Sequence, residues 1–424
     1  MGCSSWYVEP RIGGVLRHEI VQGSYTDCVS LPPAPDVDDI RTMLRAVMDP
    51  ELGDNIVDLG MAGNVTLEPG DGGYIVRIGV KLTIKGCPLR AQIKKDIESR
   101  LIHHPSIIKV SIDWGEMTAD ERTAVMTRAR WNAREQAPDT AVPQSARVLA
   151  IASGKGGVGK SSVTVNLAAA LAAEGKTVGV LDADIWGFSI PRMLGMPDRL
   201  QARVVDGRDK PMIVPNERRV GSGTLKVVST GMLVEDEGTA LMWRGLMLTK
   251  AVEQFLNDVD WGHLDFLLID MPPGTGDVQM GLARMLPRTD LLIVTTPAVS
   301  AQKVAIRAAD MARRSFLRVA GVIENMSSFV CDHGEHYPLF GVGGGQTLAT
   351  DIGVELLGQV PIEPAVSEGG DRGEPVALAG SGEAAQVFRA IARGIIDETP
   401  TTDDMAGCSA RDAEPSVVTV RSRS

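Results

Sequence analysis

Apolar and polar positions in the first third of the chain change period several times. Apolar residues recur at helical spacing from Val37 to Val47, and this helix should end before Pro50. Alternating positions then predict strands, and Pro88 opens a second helical stretch. The expected elements after the first helix are strands over 62–67 and 74–82, a helix over 89–101 and a strand over 107–114. Together they predict a small α+β domain over residues 36–116.

The pattern of apolar positions changes after residue 147. Short runs that are apolar at nearly every position alternate with helical stretches, which is typical of parallel strands buried on both faces. These runs lie at 148–152, 177–181, 264–269, 290–295 and 319–323. The sequence therefore predicts an α/β fold over residues 147–396, with a mostly parallel sheet and helices on both faces.

Three segments lack a sustained apolar period. Residues 1–35 end in a proline-rich stretch and are expected to be a flexible leader, or an over-extended start of the reading frame. Residues 117–146 are polar and helical in their first half, which indicates a linker. Residues 397–424 are expected to form a disordered tail.

Charge and composition narrow the class of protein. The formal net charge is −11 and aromatic residues make up 4%, so neither a nucleic-acid surface nor base-stacking platforms are favoured. No apolar run is long enough for a membrane span, and the first residues lack the pattern of a signal peptide. Five scattered cysteines do not suggest a disulfide framework. We expect a cytoplasmic protein that binds neither nucleic acid nor membrane.

The strongest chemical motif is Gly-Lys-Gly-Gly-Val-Gly-Lys-Ser, which follows a predicted strand and opens a helix. This context and spacing fit the Walker A phosphate loop. Backbone N–H groups of such a loop cradle the phosphates of ATP, and the helix N-terminus adds a partial positive charge. Lys160 should reach the β- and γ-phosphates, and the Ser161 hydroxyl should bind Mg²⁺.

Acidic residues stand at the ends of two predicted strands. Asp270 ends an apolar strand in the manner of a Walker B motif and is expected to hold Mg²⁺. Asp182 and Asp184 follow another strand, where carboxylates are well placed beside a bound nucleotide. Capping of a loop is the simpler alternative for these two.

A second lysine inside the phosphate loop, Lys155, is typical of the deviant Walker A ATPases. Three further stretches favour one branch of that group: Met-Trp-Arg-Gly at 242–245, Pro-Pro-Gly-Thr-Gly-Asp at 272–277 and Glu-Asn-Met-Ser-Ser-Phe at 324–329. On these residues the chain resembles the Mrp/ApbC family of iron–sulfur cluster carriers. The small domain resembles one found in iron–sulfur assembly factors, through its Asp-Pro-Glu-Leu-Gly and Gly-Cys-Pro motifs.

The resemblance implies a function and assigns roles. It implies a homodimer that hydrolyses ATP and passes clusters to apo iron–sulfur proteins, in contact with cluster assembly factors. Lys155 would reach the nucleotide of the other subunit, Asp184 would activate the attacking water, and Asn325 would contact adenine. The expected nucleotide-binding residues are Gly154, Lys155, Gly156, Gly157, Val158, Gly159, Lys160, Ser161, Asp182, Asp270 and Asn325.

One departure from the family concerns the cluster. The family shows Cys-x-x-Cys after the Asn-Met-Ser segment, whereas this chain keeps only Cys331, followed by His333 and His336. Imidazole can replace some thiolates as cluster ligands. These three residues from two subunits are therefore the expected ligands, with [4Fe-4S] as the expected cluster. A loop cysteine with two loop histidines is the alternative, and Cys87 is a second candidate thiol.

Other functions remain open from the sequence. A nucleotide-gated scaffold that holds no cluster would fit the missing second cysteine. A positioning ATPase like ParA or MinD is less favoured, because the tail offers neither an amphipathic helix nor a basic run. A dinucleotide-binding dehydrogenase is disfavoured, because no better Gly-x-Gly-x-x-Gly pattern exists outside the lysine-bearing loop.

Overall fold

The structure is a computed structural model, and it divides the chain into two compact units. It describes residues 33–49, 52–83, 89–184, 187–205, 210–233, 245–274, 276–331 and 333–399. One unit holds the described residues of 33–47 and 55–116, and the other holds those of 48–54 and 117–399. Cys87, residues 1–32 of the expected leader and residues 400–424 of the expected tail lie outside the described residues.

The first part of the chain has the expected α+β character. Its elements are α1 (Val37–Leu44), β1 (Met48–Asp49), β2 (Asp54–Asn55), β3 (Ala62–Gly70), β4 (Gly73–Leu82), α2 (Arg90–Ile102) and β5 (Ile107–Glu116). Strand β4 pairs antiparallel with β3 and parallel with β5. Ile93, Ile97 and Leu101 are buried one turn apart along α2, so one face of that helix covers apolar side chains.

The second unit contains the remaining elements. They are α3 (Ala119–Glu135), β6 (Arg147–Ala152), α4 (Lys160–Ala173), β7 (Thr177–Asp182), α5 (Ile190–Met193), β8 (Gln201–Arg203), β9 (Met212–Val214), β10 (Asn216–Val220), β11 (Gly223–Ser229), α6 (Gly245–Asp258), β12 (Phe266–Asp270), α7 (Gly276–Met285), β13 (Asp290–Thr295), α8 (Val299–Arg314), β14 (Arg318–Val330), β15 (His336–Tyr337), α9 (Gly344–Ile352), β16 (Leu356–Ile362), α10 (Pro364–Arg372) and α11 (Glu383–Asp397). Thr118 caps α3 in a capping box with Glu121.

A nine-stranded sheet forms the centre of this unit. Its order is β10-β11-β7-β12-β6-β13-β14-β15, with β16 paired to β14. The pairs from β11 to β14 and the β14–β16 pair are parallel, whereas β10 and β15 add antiparallel pairs. The expected mostly parallel sheet is confirmed, and β6 lies between β12 and β13 near its middle.

Side chains of the central strands alternate between two separate cores. Along β6, Val148, Ala150 and Ala152 belong to one core, whereas Leu149 and Ile151 belong to the other. Helices α6, α7, α8 and α9 contribute to the first core, and α4 and α11 to the second. Because a pleated strand turns successive side chains to opposite faces, strands apolar at every position require helices on both faces, as expected.

Strand β14 is longer than the sequence pattern predicts. The apolar run at 319–323 indicated a short strand, but β14 extends through Asn325 to Val330. Met326 has a positive φ of 58°, and the pairing with β16 shifts register between Asn325 and Phe329. An irregular, partly polar continuation of this kind shows no alternation of apolar and polar residues. The sequence therefore predicted a strand that ends at residue 323, too early.

The sheet edge beyond β7 was also missed. Strands β10 and β11 form an antiparallel hairpin joined at Val220–Gly223. Strand β10 reads Asn-Glu-Arg-Arg-Val, and its exposed edge position tolerates these charged residues. Charge at an edge therefore concealed a strand that apolar patterning alone does not reveal.

The double-faced core gives a stability prediction. Leu268 is fully buried in β12, so Leu268→Ala should lower the free energy of unfolding by about 3 kcal/mol through lost burial and a cavity. Val204 is 79% exposed, and Val204→Ala should change it by less than about 0.5 kcal/mol. Urea unfolding followed by circular dichroism measures both. Equal midpoints for the two variants would contradict the assignment of Leu268 to the core.

Candidate functional site

The phosphate loop spans the turn between β6 and α4 at the carboxyl edge of the sheet. Gly159 precedes the helix with a positive φ of 78°, and a Cβ there would clash with the amide of Asn325. Glycine is therefore required at this position for both backbone and space. The loop lines a cavity of about 290 Å³, together with Asp184, Ser189, Met193 and Pro273.

Lys160 and Ser161 both meet Asp270. The ammonium of Lys160 lies 2.7 Å from Oδ1 of Asp270, and Lys160 is only 6% exposed. The hydroxyl of Ser161 donates to Oδ2 of the same carboxylate at 2.6 Å. The sequence expectation that the loop and the strand-end acid share one site agrees with this geometry. The ammonium, the hydroxyl and both carboxylate oxygens are thereby concentrated at the cavity that the phosphate loop lines.

Thr164 is a site residue that the sequence analysis missed. Its buried hydroxyl lies 2.9 Å from Oδ1 of Asp270 and 3.0 Å from the carbonyl oxygen of Lys160, and it shares its one proton between these two acceptors. Thr164 lies four residues after Lys160, on the same side of α4, and this helical spacing was the available signal. The side chain fixes the orientation of the Asp270 carboxylate.

Asp182 lies beside Asp270 on the neighbouring strand. The two residues are partners in the β7–β12 register, and both are fully buried. Oδ1 of Asp182 accepts from the Asp184 backbone N–H at 3.1 Å, and Oδ2 accepts from the Ser229 hydroxyl at 3.0 Å. Burial, followed by the charge of Asp270, raises the pKa of Asp182 to about 7.

Asp184 and Lys155 differ in their position at the cavity. Oδ2 of Asp184 lies 3.9 Å from the ammonium of Lys160, and Asp184 lines the same cavity as the phosphate loop. Lys155 is exposed, and its backbone carbonyl accepts from the Ser153 hydroxyl at 3.1 Å. One loop lysine is thus buried among carboxylates and the other is directed outward.

Asn325 contacts the phosphate loop directly. Its side-chain amide donates to the carbonyl of Val158 at 2.9 Å, and the residue is 8% exposed. The next residue, Met326, has the positive φ already noted, which is uncommon for a residue with a side chain. The backbone is therefore strained at Met326, directly after the candidate site residue Asn325.

Cys331 lies in a tight turn directly after β14. Its backbone N–H donates to the carbonyl of Glu335 at 3.0 Å, and its carbonyl accepts from Gly334 at 2.8 Å. The thiol is free and partly exposed. His333 is exposed in the turn, and Asp332 lies outside the described residues.

His336 already has partners for both ring nitrogens. Nδ1 lies 3.0 Å from the Ser328 hydroxyl, and Nε2 lies 3.6 Å from Oε2 of Glu383. The part of the chain that the structure describes contains no group of three or more His, Cys, Asp or Glu side chains arranged to hold a metal ion. The three predicted cluster ligands do not form a complete site within one chain.

Comparison with known families identifies both parts of the chain. Residues 144–396 match the model of the ParA-type family described as NUBPL iron-transfer P-loop NTPase. The chain belongs to this family. Residues 37–114 match a second family, described as iron–sulfur cluster assembly protein.

Relatives of this NUBPL-family chain share most of its length. A protein of Mycobacterium leprae named iron-sulfur cluster carrier protein is 42% identical over 349 residues, covering 80% of this chain and 87% of the relative. A protein of the same name from Deinococcus radiodurans is 42% identical over 84% of this chain and 93% of its own. A solved nucleotide-binding protein of Archaeoglobus fulgidus in complex with ADP is 32% identical, covers 61% of this chain and 96% of its own, and has a TM-score of 0.47.

Two findings on the described part of the NUBPL-family chain concern membrane spans and a metal ion. None of its described helices has the length and apolar composition to cross a membrane. The donors around Asp270 also fit Mg²⁺, because a hydroxyl and carboxylate oxygens are the hard ligands that this ion prefers. Asp182 supports that fit, since two adjacent buried carboxylates favour an added cation.

The raised pKa of Asp182 predicts a pH dependence of stability without nucleotide. An aspartate with a pKa near 3.8 when unfolded and about 7 when folded stabilises the fold at low pH, and this contribution is lost as pH rises through 7. Asp182→Asn removes the titration but keeps an oxygen for the Asp184 N–H. As the pH rises from 5 to 8, the free energy of unfolding of the variant should therefore increase by about 2–3 kcal/mol relative to that of wild type.

Urea unfolding of both proteins across that pH range measures this difference. Ser229→Ala is a suitable companion, because it removes one hydrogen bond and leaves the carboxyl group. If the free energy of unfolding of wild type and that of Asp182→Asn differ by the same amount at every pH from 5 to 8, Asp182 is ionised throughout this range and the prediction is wrong.

Proposed function

We propose that this protein is an ATP-hydrolysing carrier that binds an iron–sulfur cluster and transfers it to apo-proteins, acting as a cytoplasmic homodimer. The observation that carries the proposal is the course of β14. One strand contacts the phosphate loop through Asn325 and ends beside Cys331, six positions further along the chain. The names of the relatives and both family matches support the same function.

The nucleotide site supplies the chemistry of phosphoryl transfer to water. The loop N–H groups and Lys160 bind the phosphates, which draws the ammonium away from its contacts with Asp270 and Asp184. Asp184 then orients the attacking water from its place on the cavity wall. Ser161 and Asp270 would hold Mg²⁺, which would neutralise charge on the phosphate oxygens.

Lys155 has a different role in this proposal. It is exposed beside the cavity, whereas Lys160 already occupies the interior of the loop. A second chain facing this surface would receive the Lys155 ammonium near its own γ-phosphate. The added positive charge would stabilise the negative charge that develops during transfer.

The cluster is cargo, and two chains are needed to hold it. Each chain offers one thiolate from Cys331, so two chains supply two thiolates and need further ligands for a [4Fe-4S] cluster. His333 is a better partner than His336, because it is exposed while His336 is engaged by Ser328 and Glu383. Cys87 is a further candidate thiol from the small domain.

A nucleotide-gated scaffold without a cluster is the second candidate function. The observation in its favour is the absence of a complete ligand group among the side chains that the structure describes. In this alternative the nucleotide site works as above, and the hairpin at Cys331 serves only as a contact surface. Iron binding decides between the two functions.

The carrier proposal predicts a cluster that depends on Cys331. Purified full-length protein is reconstituted anaerobically with iron and sulfide, and bound iron and visible absorption are measured. Wild type should bind iron, Cys331→Ala should lose most of it, and His333→Ala should lose more than His336→Ala. Cys408→Ala is the control, because it removes a cysteine from the predicted tail.

The iron content can also refute the carrier proposal. Equal iron in wild type and Cys331→Ala would remove the cysteine from the site. No iron in wild type with intact ATP hydrolysis would favour the scaffold. If Cys87→Ala loses the cluster and Cys331→Ala keeps it, the cluster ligand belongs to the small domain instead.

The two loop lysines should respond differently to substitution. Lys160→Ala should abolish nucleotide binding, because it removes the cation buried among the site carboxylates. Lys155→Ala should keep nucleotide affinity within about threefold and slow hydrolysis by roughly 10–100-fold, since it acts on the transition state. Lys210→Ala is the exposed-lysine control. Fluorescent-nucleotide titration and phosphate release measure the two effects, and equal loss of binding in both loop variants would contradict the assignment.

A further inference from the structure

A group of arginines lies at the edge of the central sheet where its parallel strands begin, opposite the edge that carries the phosphate loop. Arg318 begins β14, and its Nε lies 3.8 Å from Oδ1 of Asp290, the first residue of β13. Burial, and then the charges of Arg134 and Arg318, lower the pKa of the Arg130 guanidinium on α3. Arg313, near the end of α8, lowers it further. We call Arg130, Arg134, Arg313 and Arg318 the arginine patch.

Little negative charge opposes the arginine patch within the part of the chain that the structure describes. The charge of Asp290 acts on Arg130, but its Oδ2 also lies 3.4 Å from Nη2 of Arg147, so several arginines share this carboxylate. The buried Nε of Arg130 has no hydrogen-bond partner among the described groups, and the other members of the patch are exposed. Because the whole chain has a formal net charge of −11, this local excess of positive charge favours an added carboxylate.

The residues that follow α11 run towards this patch. Nη1 of Arg147 donates to the carbonyl of Ile395 at 2.8 Å and to the hydroxyl of Thr399 at 2.7 Å. Nη2 of the same side chain lies 3.6 Å from Oε2 of Glu398. The guanidinium that contacts Asp290 therefore also holds Thr399, the last residue that the structure describes.

The sequence directly after Thr399 is Pro-Thr-Thr-Asp-Asp, at 400–404. An extended chain spans about 3.3 Å per residue, so Asp403 can lie up to roughly 13 Å from Thr399. The contacts that lead from Thr399 to Arg318 measure only 2.7, 3.4 and 3.8 Å. Both aspartates of this segment therefore start within reach of the arginine patch.

We propose that the acidic segment at 400–404 docks on the arginine patch of its own chain. The carboxylates of Asp403 and Asp404 pair with the patch, and the planar guanidinium group suits such pairing because it offers parallel N–H donors. The segment thereby joins α3 to the first residues of β14. This inference does not rest on the proposed function, because the patch and the phosphate loop lie at opposite edges of the sheet.

The tether favours this segment over an acidic segment of another protein. A single exposed ion pair contributes little to binding, because water and salt screen it. A short tether, however, raises the effective concentration of its end to roughly the millimolar range, so that a few weak pairs suffice. A free partner would have to compete with that local concentration.

Backbone ¹⁵N relaxation of the full-length protein tests the docking. The order parameters of Asp403 and Asp404 should be about 0.85 in wild type, as in rigid backbone, and should fall below about 0.6 in Arg318→Gln. Arg128→Gln is the matched control, because it removes an exposed arginine of α3 that does not belong to the patch. Raising the ionic strength from about 0.1 M to about 1 M shortens the screening length from about 10 Å to about 3 Å and should also lower the order parameters. Binding of a fluorescent ADP analogue by each variant verifies its fold.

Titration with hexaglutamate distinguishes the occupants of the patch. This peptide should bind the double variant Asp403→Asn/Asp404→Asn at least about tenfold more tightly than wild type, because the tethered segment competes with it. The control Asp412→Asn/Glu414→Gln removes the same charge further along the chain and should bind the peptide like wild type.

Several results would overturn the proposal. Equal affinity of wild type and Asp403→Asn/Asp404→Asn for hexaglutamate would leave the patch to an acidic segment of another protein. Rigidity of residues 403–404 that appears only as the protein concentration is raised would assign the patch to a second copy. Order parameters below about 0.6 in wild type, or order parameters that Arg318→Gln leaves unchanged, would also contradict the docking.

Discussion

The arrangement of the nucleotide site depends on a buried ion pair at the sheet edge, between Lys160 and Asp270, beside the second buried carboxylate of Asp182. Two carboxylates on adjacent parallel strands repel each other, and burial strengthens that repulsion. The ammonium of Lys160, only 2.7 Å from Asp270, offsets this repulsion. Because that lysine begins α4 and the carboxylates end β7 and β12, three elements must be in register before the charges are balanced. Under the proposed function, the nucleotide and Mg²⁺ would bind in this assembled pocket.

Strand β14 leads from the phosphate loop to the turn that holds Cys331. Its carboxyl half leaves regular pairing at Met326, whose positive φ bends the backbone immediately after Asn325 touches the phosphate loop. Buried Glu324 fixes the same point, since it accepts from the Gly345 N–H at the start of α9 and from the Gln359 side chain at 2.7 Å. Under the proposed function, a shift of Asn325 on nucleotide binding would act on a strand that is anchored before the bend and leads to Cys331 after it.

Much of this could be predicted from the sequence where one local signal determines the structure. The glycine-rich loop, its strand and its helix follow from the spacing around Lys160, and the fully apolar runs led correctly to a parallel sheet. Strand β10 was missed because an edge strand can be charged, and the end of β14 was missed because a bend interrupts its period. Thr164 and Ser229 escaped notice because their importance depends on carboxylates more than 40 positions away, Asp270 and Asp182, which only the fold brings near.

The single cysteine gives the carrier problem its particular form. A site that binds a cluster with four thiolates holds it firmly, whereas two thiolates shared by two chains make the cluster labile once the chains separate. Under the proposed function, retention of the cluster would depend on the contact between two chains as much as on the ligands. The phosphate loop that carries Lys155 packs against α8, because a Cβ on Gly154 would clash with the backbone of Val304 and Ala305. In the proposed homodimer, ATP hydrolysis and release of phosphate would remove negative charge that attracts Lys155 of the other chain, and this would weaken the contact. In the proposed carrier, the nucleotide would therefore control retention of the cluster through the contact between the two chains.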